Sequence, residues 1–388
     1  MIKKIIYISY EPLTEKIIED FYIQEAQNNG YEIEYLDLSK LFFSNVLLPK
    51  IDAQYIVAVS KLKDLEKYLL SQDNKQTLYV LLIAYEYRVV PLFSILTKYN
   101  CQTVYFSRSA LPYINNSEST IFSRLRRLIN LKSFITSVQN KYAYLLKKYG
   151  LIKYYDIIFA AGKSGIQSIG FGYQIEKAKS KIVNMNSIDF DRFFFKMSDF
   201  KLVDGKYCLF LDEYLPYHPD FELLNIKTVD PKIYYRVLNE FFDIIETKYK
   251  IEVVIAAHPK AEKYKLENFF NGRRVIFNKT AELSRYAEFS ISHCSTSVSF
   301  SVLNMKPIFF LYSNDILEVM PHYFKFISYL SETLGGTLLN IDNILIDDIC
   351  IMDIDESKYN DYKYNYLSSE ESERRKSSDI IFQTISEL

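Results

Sequence analysis

The sequence predicts an α/β chain of two doubly wound halves, each built on a parallel sheet. Three observations carry this. Short β-rich runs alternate with longer helical stretches, which implies crossover connections and helices on both faces of a sheet. The alternation restarts after residue 205, following a stretch that has neither a helical nor a strand period. The length of 388 residues suits two to three domains, at roughly 150 residues each.

In the first half, KKIIYISY (3–10) reads as a strand, 13–28 as a helix stopped at Gly30, and YEIEYLDL (31–38) as the next strand. Further strands are expected at 54–60, 77–85, 102–108 and 154–161. In the second half, KYCLFLDEY (206–214) is a strand, 231–248 a helix, and EVVIAAHP (252–259) a strand. Strands at 273–280, 289–297 and 306–313 follow. The expected boundaries are a first domain over 1–185, a linker over 186–205, a second domain over 206–365, and a C-terminal segment, 366–388. The polar SSEESERRKSS turns apolar at DIIFQTISEL, so that segment should end in a helix packed back on the body.

Composition narrows the function classes. Lys plus Arg (47) nearly cancel Asp plus Glu (48), which argues against a nucleic-acid binder. Four scattered cysteines without a CxxC pair exclude a disulfide scaffold or zinc ribbon and fit a reducing cytoplasm. The N-terminal apolar run is too short for a signal peptide, and LYVLLIAY (78–85) is far shorter than the ~20 residues of a membrane span. A cytoplasmic protein is expected. The stretch SRLRRLINLKSF (123–134) interleaves Arg and Lys with Leu and Ile, an amphipathic helix with a cationic face. A solvated helix face is the plain reading, and peripheral contact with anionic lipid at the inner membrane the sharper one.

Three of the four histidines fall at or just past expected strand ends of the second half: His218, His258 and His293. Open α/β sheets bind ligands beyond the carboxyl ends of their strands. Pro259 ends its strand and leaves His258 at that edge, where an imidazole could bind a phosphate or hand over a proton. The plain reading is a strand-terminating turn. Ser295, Thr296 and Ser297 precede a helical run, so they either cap a helix or bind an anion at its start. Asp212 and Glu213 close the strand KYCLFL and should point to opposite faces, with Asp212 a candidate general base. AAGKSGIQSIGFG (160–172) holds four of the ten glycines. A P-loop needs Gly where Ile157 stands, so this reads as a flexible loop.

An acidic pair, His-Pro and a Ser-Thr pair, in that order and about 46 and 37 residues apart, resemble the motifs of bacterial sialyltransferases and polysialyltransferases of the GT-B class. Tyr214 stands where that family has Gly. The resemblance implies two Rossmann-like domains facing a central cleft, the first binding a glycan or glycolipid acceptor and the second a nucleotide sugar. It implies Asp212 as base and His258 as the residue that protonates or holds the phosphate, with Ser295 and Thr296 on the phosphate of a CMP-sugar donor. Ser297, Lys260 and His293 are added as donor-binding candidates. The expected activity is inverting transfer of a sialic-acid-like sugar in surface-polysaccharide synthesis. No cofactor or metal is expected, since no DxD element is placed to hold one. The second reading is a UDP- or GDP-hexose transferase using Lys260, Lys306 and Glu288. The third is a non-catalytic assembly protein.

Overall fold

The computed structural model describes residues 1–43, 51–108, 112, 131–170, 172–223, 226–342 and 344–388. Most of the basic stretch 123–134 therefore lies outside the described residues. The chain divides into two compact units. One comprises the described residues up to Ile188, Pro112 apart, together with Ser368–Leu388. The other comprises Asp189–Leu367 and Pro112.

The first unit carries a seven-stranded sheet: β1 (Lys4–Ser9), β2 (Glu32–Asp37), β3 (Ile56–Ala58), β4 (Thr77–Leu81), β5 (Gln102–Ser107), β6 (Ile157–Ala161) and β7 (Lys181–Met185). Their order is β3-β2-β1-β4-β5-β6-β7, and every pairing is parallel. The central strands β4 and β6 are buried along their whole length, as their unbroken apolar runs require. The stretch expected as one helix over 13–28 is two short ones, Glu15–Asp20 and Ile23–Asn28. Tyr22 breaks them apart in a left-handed conformation (φ 55°).

The second unit carries β8 (Tyr207–Leu211), β9 (Glu252–Ala257), β10 (Val275–Phe277), β11 (Ser290–Ser292), β12 (Ile308–Tyr312) and β13 (Thr337–Asn340). Their order is β10-β9-β8-β11-β12-β13, again all parallel. The helix Pro231–Tyr249 starts on Asp230, whose carboxylate accepts two backbone N–H groups, with Pro231 in the first turn. It buries Leu238, Phe241, Phe242 and Ile245 in the core of this unit. Two doubly wound parallel sheets, one after the other, make the two-domain α/β architecture that the sequence predicts.

The boundaries differ from expectation in two places. Residues 186–205 are not an irregular linker, because Ile188–Asp191 and Arg192–Lys196 form helical turns and Phe190 is buried in the second unit's core. The second unit thus begins at Asp189. The C-terminal segment joins the first unit from Ser368 onward. Asn186 anchors it, donating to the Arg375 carbonyl (2.8 Å) and accepting from the Ser368 hydroxyl (2.7 Å). The helix Ser377–Ser386 then buries Ile380, Ile381 and Ile385 beside Ile5, Tyr7 and Ile33. Among the described residues no helix is long and apolar enough to cross a membrane.

Candidate functional site

In the second unit the strand order reverses between β8 and β11: β9 and β10 extend the sheet to one side, β12 and β13 to the other. Such a switch point leaves a crevice at the carboxyl ends of its two strands. Asp212 and Glu213 follow β8, and residues 293–297 follow β11, so both groups lie at this point.

Asp212 is buried, 4% exposed. Its Oδ1 accepts the Tyr214 N–H (3.1 Å) and the Tyr264 hydroxyl (3.1 Å), and its Oδ2 accepts the His258 N–H (3.2 Å). Burial pushes its carboxyl up to about 6, against the pull of these donors. Glu213 turns to the other neighbour. It accepts the Cys294 N–H (2.6 Å) and the Tyr323 hydroxyl (2.5 Å), and burial pushes it up to about 7. The two acids thus point opposite ways, as strand alternation demands. Each fixes the end of an adjacent strand, Asp212 that of β9 and Glu213 that of β11. Tyr214, where the resembled family has Gly, nonetheless takes the left-handed conformation a glycine would favour (φ 56°, ψ 32°).

His258 follows β9 directly. Its Nδ1 accepts the Lys260 N–H (3.2 Å), and the Nδ1 of His218 accepts the Asp220 N–H in the same way (3.2 Å). Each neutral ring therefore carries its proton on Nε2. The two rings lie 4.8 Å apart between centroids, inclined at 58°. Burial holds His218 below the usual histidine range, Asp220 opposing and Lys260 adding to the effect. Lys260 and Asp220 form an exposed ion pair at 2.9 Å beside the rings.

The serine cluster divides. Ser295 is buried, and its hydroxyl accepts the Ser297 N–H (3.3 Å), a turn-forming role. Thr296 is exposed and Ser297 half-exposed, just ahead of the helix Val298–Leu303. His293 corrects an expectation. It is wholly buried, Nδ1 donates to the Leu311 carbonyl (2.7 Å), and Nε2 accepts the Tyr234 hydroxyl (3.0 Å). Burial lowers it to about 4, so it stays neutral inside the core and has no nitrogen left for a phosphate. Glu288 and Lys306, assigned to a diphosphate in the second reading, precede β11 and β12 and so sit at the amino edge of the sheet. The Glu288 N–H bonds the Tyr207 carbonyl at the start of β8. Of that trio only Lys260 reaches the site.

Sequence reasoning missed Tyr264, Tyr323 and Asp220. The tyrosines that hold the acid pair are two of 34, and no spacing distinguishes them.

No family model matches the chain, and no curated protein matches it. Among solved structures it is similar to the UDP-GlcNAc 2-epimerase of Methanocaldococcus jannaschii, with 14% identity over the whole of both chains and a TM-score of 0.47. It is similar as well to the UDP-GlcNAc 2-epimerase of Neisseria meningitidis (14%, the whole of both chains, TM-score 0.45). The wall teichoic acid polymerase TagF is a third, at 11% identity over 99% of this chain and 90% of that one, TM-score 0.49.

Proposed function

We propose that the chain is a glycosyltransferase that moves a sugar from a nucleotide-activated donor to a glycan acceptor in surface-polysaccharide synthesis. What supports this is the meeting of Asp212, His258, Lys260, Thr296 and Ser297 at the switch point of one parallel sheet. Lys260 and the hydroxyls of Thr296 and Ser297 supply a cation and donors for a phosphate. His258 hydrogen-bonds or protonates the departing phosphate through Nε2. Asp212 takes the proton of the attacking hydroxyl at Oδ2, the oxygen that also accepts the His258 main-chain N–H. A carboxyl raised to about 6 is largely ionised at neutral pH and close to the pKa that suits a base there.

The burial of Asp212 favours a second assignment on the same site. In it Asp212 is a positioning residue that holds His258, and the pair His218–His258 handles the proton. The pH profile of transfer separates the two. If Asp212 is the base, Asp212→Asn loses transfer at every pH, whereas residual transfer in that variant that keeps the wild-type limb belongs to the histidines.

The donor is a UDP- or GDP-linked hexose or a CMP-linked ulosonate. The CMP reading rests on the order of the three motifs, and the UDP or GDP reading on Lys260 as a diphosphate partner. Thermal shifts with CMP, UDP and GDP at equal concentration test both, because a ligand raises the melting temperature by mass action.

A further inference from the structure

A cavity of about 230 Å3 opens in the first unit, lined only by residues of that unit. Three segments wall it: the turn after β4, the helix Leu131–Lys148, and the glycine-rich turn after β6 with the helix Tyr173–Lys179. Its floor is a buried ion pair between Lys147 and Glu176. The Lys147 ammonium also lies 4.4 Å from the centre of the Tyr85 ring and 4.2 Å from that of Tyr155. Glu176 is fixed from behind by the Tyr155 N–H (3.1 Å) and the Ser180 hydroxyl (2.8 Å). The floor is therefore rigid and self-neutralised.

At the rim the Glu86 carboxylate is offset by Arg88, which pairs with it at 3.5 Å from outside the lining. The walls offer the rings of Tyr85 and Tyr144 and the amide of Asn140. Asn140 accepts the Tyr87 N–H (3.1 Å) through its oxygen, so its nitrogen remains a donor. The glycine-rich motif explains itself here. Gly172 has φ +95°, and a Cβ on it would stand 3.3 Å from the Tyr144 ring, so glycine lets that ring close the wall.

We propose that this cavity binds one uncharged sugar ring, the terminal residue of the glycan acceptor. A sugar ring has an apolar C–H face that packs on aromatic rings and a circumference of hydroxyls that needs a few placed donors and acceptors. Two tyrosines, one amide and a charge-balanced floor supply both. A phosphate or carboxylate ligand would find its cation already committed to Glu176. The acceptor role rests on the glycosyltransferase reading, whereas binding of the ring does not.

The test is saturation-transfer NMR on the full chain with the methyl glycosides of glucose, galactose, N-acetylglucosamine and N-acetylgalactosamine, and with N-acetylneuraminic acid as a charged control. At least one neutral glycoside should bind. Asn140→Ala and Tyr144→Ala should each weaken it about tenfold, the scale of one lost hydrogen bond or ring contact, while Tyr144→Phe retains it. Should Tyr144→Ala fail to fold, the partly exposed Asn140 carries the test. No signal from any neutral glycoside, equal binding in folded Asn140→Ala, or preferred binding of the acid overturns the proposal. Sugar binding without nucleotide binding leaves the cavity standing and removes the donor reading. Nucleotide binding without sugar binding does the reverse.

Discussion

Asp212 accepts the backbone N–H of His258 at 3.2 Å, so the acid that ends β8 fixes the turn that carries the His-Pro pair. The two residues are 46 positions apart, yet β8 and β9 are parallel neighbours and bring them to one edge. The acid and the imidazole therefore belong to one built unit.

Asp212→Asn tests that unit for stability as well as activity. Three donors point at the carboxylate, and an amide sets its own NH2 against at least one of them. We expect the variant to lose transfer and to lose about 1–3 kcal/mol of stability, the cost of a buried donor left unpaired. Calorimetric melting beside a transfer assay checks it. An unchanged melting temperature would mean the carboxylate is not held as described.

Glu213 governs a pH effect whose sign can be worked out. Its carboxyl, like that of Asp212, is raised in the folded state, to about 7 and about 6 against 4.5 and 3.8. Between roughly pH 4 and 7 the folded chain therefore binds more protons than the unfolded one. Stability from these two groups must fall as pH rises through that window. Glu213→Gln should fold, since the amide oxygen can accept the Cys294 N–H and the Tyr323 hydroxyl can rotate to accept from the amide nitrogen. Its melting temperature should decline less between pH 5 and 8 than the wild type's. A decline of equal slope would contradict the assignment.

His293 and His258 should part company. His293→Ala empties a wholly buried site and orphans the Leu311 carbonyl, so we expect a loss of roughly 2–4 kcal/mol. Nucleotide affinity in the surviving folded protein should not change. His258→Ala should melt near the wild type and lower turnover by about 10² or more, the usual scale for a general acid. Melting curves with steady-state rates separate these outcomes. A His293→Ala protein that folds well but no longer binds nucleotide would return that histidine to the site.

How far the sequence led depends on the kind of element. Central strands such as β4 and β9 are legible because burial on both faces writes continuous apolar runs. The edge strands β7 and β13 escaped notice. KIVNM is exposed at three of five positions and buried only at Met185, and TLLN is only partly buried along most of its length. The placement of Asp212, His258 and Thr296 just past strand ends was legible, because a residue that closes an apolar strand run must lie at the sheet edge. His293 satisfies the same rule and still points inward. What buries it are Tyr234 and Leu311, 59 and 18 residues away, which local pattern does not register. The glycine-rich turn, expected as a flexible loop, is instead the wall of a cavity and includes a short helical turn over Gly165–Ile169.

The most direct test of the switch-point site is a nucleotide titration followed by melting temperature, in wild type and in His258→Ala and Thr296→Ala. We expect at least one of CMP, UDP and GDP to raise the wild-type melting temperature with increasing concentration. The rise should shrink in both variants, since each removes a group placed for the phosphate. Absence of any shift with all three nucleotides, or a full shift in both variants, would contradict the account.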